Sequence, residues 1–74
     1  MQIPPLTAII EQEGPWFVVT CPELDVASQG KTMSEAESNI REAIELLLET
    51  ADEAEIARRL SRNVQIRPLN IANA

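Results

Sequence analysis

Cys21-Pro22-Glu23-Leu24-Asp25-Val26-Ala27-Ser28-Gln29-Gly30-Lys31-Thr32-Met33-Ser34-Glu35-Ala36-Glu37-Ser38-Asn39-Ile40-Arg41-Glu42-Ala43 is the stretch whose reading decides the fold. Pro22 has no amide to donate and biases Cys21 toward extended geometry, so a strand ends there. Glu23 to Asp25 then turn into a short strand, Val26 to Gln29. Gly30 and Lys31 turn the chain again. Thr32 and Glu35 stand three apart, the spacing of a capping box that satisfies orphan amides at a helix start. A helix is predicted from Met33 to about Thr50.

On that helix Ala36, Ile40, Ala43, Ile44, Leu47 and Ala51 fall in one stripe at a period of 3.6, with Ser38, Glu42, Glu45 and Glu49 opposite. The stripe is suited to covering one face of a sheet. Glu37 and Arg41 are placed for an i, i+4 pair worth a few tenths of a kcal/mol. Upstream, Pro5 marks the start of a strand over Leu6 to Glu11, in which Leu6, Ala8 and Ile10 alternate with Thr7, Ile9 and Glu11. Gln12-Glu13-Gly14-Pro15 is a polar turn, and Trp16 to Cys21 is a β-branched and aromatic run. Together they predict a hairpin, extended to three antiparallel strands by Val26 to Gln29.

Leu46 and Leu48 flank the helical stripe and widen its apolar sector beyond what one sheet face needs. They are candidates for an oligomer seam. Alternatively, residues 52 to 61 fold back over them, since Ala54, Ile56, Ala57 and Leu60 suit a short second helix. Val64 to Leu69 alternates again, and Pro68 restricts it to an edge or a strand end. The expected architecture is α+β, in the order β-β-β-α-β: an antiparallel three-stranded sheet with a fourth edge strand and one main helix on one face. With no repeat and no linker, residues 1–74 are read as a single domain.

Seventy-four residues bury only roughly 60% of their unfolded surface, so self-association would help stability. Apolar residues make up 45% of the chain, enough for a core, and one Trp, one Phe and no Tyr leave aliphatic side chains to fill it. The net charge of −6 is unevenly spread. Residues 1 to 55 hold all twelve acids against Lys31 and Arg41, a balance of −10, and residues 56 to 74 carry four arginines. An acidic body repels phosphates and draws basic proteins, speeding their encounter. The same charge also serves simple solubility. Cys21 is the sole cysteine, so neither an internal disulfide nor a zinc cluster can be built, and a reducing cytoplasm is the natural compartment. No apolar run is long enough to cross a bilayer.

The absence of His removes the commonest general base and zinc ligand. No catalytic residue, cofactor site or metal site is assigned. A two-metal nuclease needs carboxylates brought together, whereas Glu11 and Asp25 lie near strand ends and Glu42, Glu45 and Glu49 on the solvent side of the helix. Gln29-Gly30-Lys31-Thr32 lacks the first glycine of a phosphate loop, and a turn with a capping box explains it. Arg58, Arg59, Arg62 and Arg67 form the one basic cluster. It is read either as a nucleic acid contact or as structural placement near a helix C-terminus or against acids. Trp16 is read as a core residue or a partner anchor.

The Pro22-Glu23-Leu24 step, the Ser28-to-Thr32 turn, and the spacing of Glu35-Ala36, Asn39 and Glu42-Ala43 resemble the HicB-like antitoxins of prokaryotic toxin-antitoxin pairs. The resemblance covers roughly residues 6 to 50. It implies a partial RNase H-like domain without nuclease carboxylates. It further implies a protein that binds and silences a small, basic HicA-type toxin cleaving mRNA. Where the family commonly has Leu-Pro-Gly-Cys, this chain has Leu24-Asp25-Val26-Ala27, so toxin contacts are not carried over residue by residue. Many members also carry a C-terminal DNA-binding segment, and a full one is not expected here.

Trp16, Glu23, Asp25 and Gln29, at strand ends or on the turn-facing side, are the candidate partner contacts, and Leu46 and Leu48 the candidate homo-oligomer contacts. The leading expectation is a non-enzymatic, cytoplasmic antitoxin-like binder, homodimeric or higher, that does not itself bind nucleic acid. An orphan HicB-like domain acting as a regulatory or scaffolding oligomer, and a minimal metal-dependent nuclease, are the alternatives.

Overall fold

In the computed structural model, which describes residues 2–72, three strands precede two helices. β1 (Ile9–Glu13), β2 (Trp16–Cys21) and β3 (Val26–Gly30) are followed by α1 (Met33–Thr50) and α2 (Glu53–Leu60). The sheet is antiparallel in the order β1-β2-β3. Ile10 pairs with Val19 and Val19 with Ser28, which sets Ile10, Phe17, Val19, Cys21, Val26, Ser28 and Gly30 on one face. That face bears α1.

The two tight turns follow from residues able to take left-handed backbone. Gly14, with φ of 60°, closes the β1–β2 hairpin, and Asp25, with φ of 57°, lies between β2 and β3. α1 opens as its spacing predicts: the Glu35 amide donates to Thr32 Oγ1 at 3.0 Å. The Glu35 carboxylate reaches back to the Lys31 amide at 3.1 Å, one residue earlier than the usual box. Gly30 is required by packing, because a Cβ there would lie 2.5 Å from the Ala36 amide nitrogen. This close approach lets α1 lie chiefly over β3 and then β2.

The core is Val19, Cys21, Leu24, Ala36 and Ile40, flanked by Leu6, Ile10, Phe17, Val26, Ile44, Leu47 and Leu60. Ala36, Ile40, Ile44 and Leu47 belong to the stripe read from the sequence. The Glu37–Arg41 pair forms at 3.4 Å on exposed surface, worth a few tenths of a kcal/mol.

Two expectations are corrected, and of the two readings of residues 52 to 61 the helical one is met. β1 spans Ile9–Glu13 instead of Leu6 to Glu11; Leu6 still packs on the core, but residues 6–8 lie outside the ladder. The second helix forms, capped by Asp52, whose side chain accepts from the Glu55 amide at 2.8 Å. The fourth strand does not form: after a turn ending at Asn63, with φ of 50°, Val64–Leu69 runs without strand partners. None of its backbone groups is hydrogen-bonded to the body among the described residues. Alternation supplies a strand's side-chain pattern but no neighbour, and Pro68 withholds an amide.

Candidate partner-binding surface

The arginines of α2 grip the β2–β3 turn. Arg59 Nη1 donates to the Leu24 carbonyl at 2.7 Å and the Asp25 carbonyl at 3.3 Å. Arg62 Nη2 donates to the Pro22 carbonyl. Arg59 Nε is buried 3.8 Å from Glu55 Oε2, within ion-pair range but beyond a hydrogen bond. Arg58 pairs with Glu55 on the surface. Three of the four clustered arginines are therefore occupied within the chain, leaving Arg67 on the exposed C-terminal segment.

Glu23 fastens the other side of the same turn. Its carboxylate accepts from the Thr7 amide at 2.9 Å and the Thr7 hydroxyl at 2.6 Å. The Cys21 thiol donates to it at 3.5 Å. Burial works to raise the Glu23 pKa, but the Thr7 hydroxyl and amide, with further help from its own amide and the Cys21 thiol, prevail and hold it below the usual glutamate value. Burial pushes the Cys21 thiol up, and Glu23 beside it adds to the effect. Cys21 is thus a buried, protonated core residue and no nucleophile.

The four candidate contacts separate into two places. Trp16 and Gln29 lie on the sheet face away from α1, together with Ile9, Glu11, Glu13, Val18, Thr20 and Ala27. Trp16 is 38% exposed there, opposite Glu13, and is not part of the core. Glu23 and Asp25 lie at the β2–β3 turn; the Glu23 carboxylate is engaged within the chain, whereas the Asp25 side chain is exposed. Leu46 and Leu48 sit on different sides of α1. Leu46 is 59% exposed, with Glu42 and Glu49 one turn before and after it. Leu48 lines a shallow hollow with Ile3, Ala51 and the buried Ile56 of α2, so the second helix covers Leu48 in part, whereas Leu46 is not among the residues lining that hollow.

The outer sheet face is one open surface, apolar at Ile9, Trp16 and Val18 and acidic at Glu11 and Glu13. A second concavity, about 320 Å³, runs between the segment entering β1 and α1, lined by Leu6, Thr7, Ala8, Cys21, Ile40 and Ile44, with Glu37, Arg41 and Glu45 at its rim. It exists because α1 lies over β3 and β2 and leaves the β1 side of the helix-bearing face uncovered. The one signal of this groove in the sequence is Ile44, which belongs to the helical stripe and here lines the open concavity.

No group of three His, Cys, Asp or Glu side chains is placed to hold a metal ion among the described residues. No helix there is long and apolar enough to cross a membrane. The arrangement can present a mixed apolar and acidic surface to another macromolecule. No family model, curated protein or solved structure matches the chain.

Proposed function

We propose that this chain is a non-enzymatic, antitoxin-like binding protein that neutralises a small, basic, HicA-type mRNA-cleaving toxin. The observation that carries the reading is the segregation of charge. Acids of the body face solvent on α1 (Glu42, Glu45, Glu49) and on the outer sheet face (Glu11, Glu13), while Arg59 and Arg62 turn toward backbone carbonyls. The surfaces of α1 and of the outer sheet face are accordingly acidic patches on a chain of net charge −6. Such a surface attracts a protein that is basic because it binds RNA, and it disfavours RNA itself. The resemblance in residues 21 to 43 names the kind of partner; Trp16, Asp25 and Gln29 are the contacts proposed for it, with Glu23 fixing the turn between them.

The test is a pull-down of the tagged chain from its own cells, followed by an RNA cleavage assay on whatever small basic protein is retained. Cleavage that stops at equimolar addition of this chain supports the proposal. Cleavage of RNA by this chain alone with Mg²⁺ or Mn²⁺ would replace it with the nuclease reading. Retention of no partner other than the chain itself would favour an orphan scaffolding domain, a reading that the exposed apolar C-terminal segment also favours.

A further inference from the structure

We propose that Val64–Leu69 is a strand that pairs with the β1 edge of a second copy of this chain, the two copies exchanging tails. The segment has a strand's alternation, with Val64 and Ile66 on one side and Gln65 and Arg67 on the other, yet among the described residues it has no backbone hydrogen-bond partner in its own chain. Ile66, Leu69 and Ile71 are 52%, 83% and 77% exposed. The radius of gyration is 14.4 Å, against about 11 Å for a compact chain of this length. The accessible surface is 5740 Å², where a folded monomer of this mass shows about 4,500 Å². Val64 and Gln65 still line a shallow hollow with Pro4, Pro5, Glu23 and Leu60, but from Ile66 onward the tail is exposed, and the surplus is on the order of what a specific interface hides.

The body offers a matching edge. β2 is central, so β1 and β3 are both edges, but β3 is obstructed: Asn39 Nδ2 donates to the Gln29 carbonyl at 2.8 Å, and Arg59 occupies the carbonyls of Leu24 and Asp25 just before it. Along β1 every second residue turns its amide and carbonyl outward, free to pair. Beside that edge lies the open groove of about 320 Å³ floored by Leu6, Ile40 and Ile44. An added strand with Val64 and Ile66 on the helix-bearing face would roof the groove with those side chains, and the same parity sets Arg67 beside Glu11 and Glu13 on the outer face.

Charge selects the pairing. β1 carries two carboxylates and no cation, and the tail carries Arg67 and no acid. Pro68 has no amide to give and limits the ladder to the residues before it. Because edge and tail belong to one sequence, a two-fold exchange satisfies both at once. The inference stands independently of any toxin partner.

The experiment is light scattering on the full-length chain at rising concentration. The expected species is about twice the 8.2 kDa chain. Ile66→Pro, at a side chain outside the core, should give monomer with unchanged helical circular dichroism. Arg67→Glu should weaken the dimer about tenfold, and adding Glu11→Lys with Glu13→Lys should restore it. A wild-type chain that stays monomeric at every concentration would overturn the proposal and leave the edge to the chain's own tail or to a foreign partner. A dimer indifferent to both Ile66→Pro and Arg67→Glu would also overturn it, placing the seam elsewhere, for example at Leu46.

Discussion

Replacing Gly30 by alanine is the most direct perturbation of how the helix meets the sheet. The added Cβ would stand 2.5 Å from the Ala36 nitrogen, 2.9 Å from the Glu35 carbonyl carbon and 3.0 Å from the Ala36 Cα. All three are backbone atoms, so no side chain can swing aside. To reach ordinary contact the first turn of α1 must retreat by roughly 0.5–1 Å. Retreat strains the Thr32–Glu35 cap and the Asn39–Gln29 bond as well as the packing of Ala36. Overpacking with partial loss of a cap sums to about 2–4 kcal/mol, a large share of the roughly 4–11 kcal/mol expected of a domain this size. Gly14→Ala is the control. Its Cβ meets nothing within 4 Å, and its φ of +60° alone sets a cost of about 1 kcal/mol. Urea titrations of both variants decide the matter: a Gly30→Ala loss equal to or below that of Gly14→Ala would refute the close-approach argument.

Two further outcomes follow from the β2–β3 turn. Glu23 titrates lower folded than unfolded, so its contribution is complete above the ordinary glutamate pKa, about 4.3, and is lost as pH falls through the lower folded value. Glu23→Gln should therefore cost about 1 kcal/mol at neutral pH and flatten the acid limb of a stability-versus-pH curve measured by denaturant titration; an unchanged acid limb would rule the clamp out. Arg59→Ala should cost about 1–3 kcal/mol, because the carbonyl of the fully buried Leu24 loses its donor. Arg62→Ala should cost less, its bond being exposed, and thermal melts that reverse this order would count against the assignment.

The parts of the fold legible in the sequence were those fixed by neighbours along the chain. Pro22, Gly14, Gly30 and the Thr32–Glu35 spacing each act within a few residues, and β2, β3 and α1 stand where those signals put them, whereas β1, with only Pro5 to mark its start, is shifted toward the hairpin turn. The failures share a cause. Glu23 meets Thr7 sixteen residues away, and Arg59 and Arg62 meet the turn 35 and 40 residues away; nothing local announces such pairs, so Glu23 reads as a surface acid and the arginines as a basic patch. Val64–Leu69 fails for a related reason. Alternation encodes which side chains a strand would bury but not which chain supplies the neighbour. Trp16 was undetermined because a hairpin edge residue faces the core or solvent according to register, and register places it outside.

The groove and the tail bear on how a chain with so small a core holds together. Of the six buried hydrophobic residues among those described, Cys21 and Ala36 are small, and Ile56 stands outside the main cluster. The uncovered strip beside β1 is apolar where it is floored by Leu6, Ile40 and Ile44, and water in it forgoes burial the domain can ill spare. A strand laid along β1 closes that strip, pairs the open edge and sets Arg67 against Glu11 and Glu13. It leaves free the acids of α1 together with Asp25 and Gln29 at the far side of the sheet. Self-association through the tail and capture of a basic partner therefore make opposite demands on Glu11 and Glu13 but not on α1. A dimer built this way leaves Asp25 and Gln29 open to a basic partner, while the outward acids of α1 add to the long-range attraction that brings the partner in.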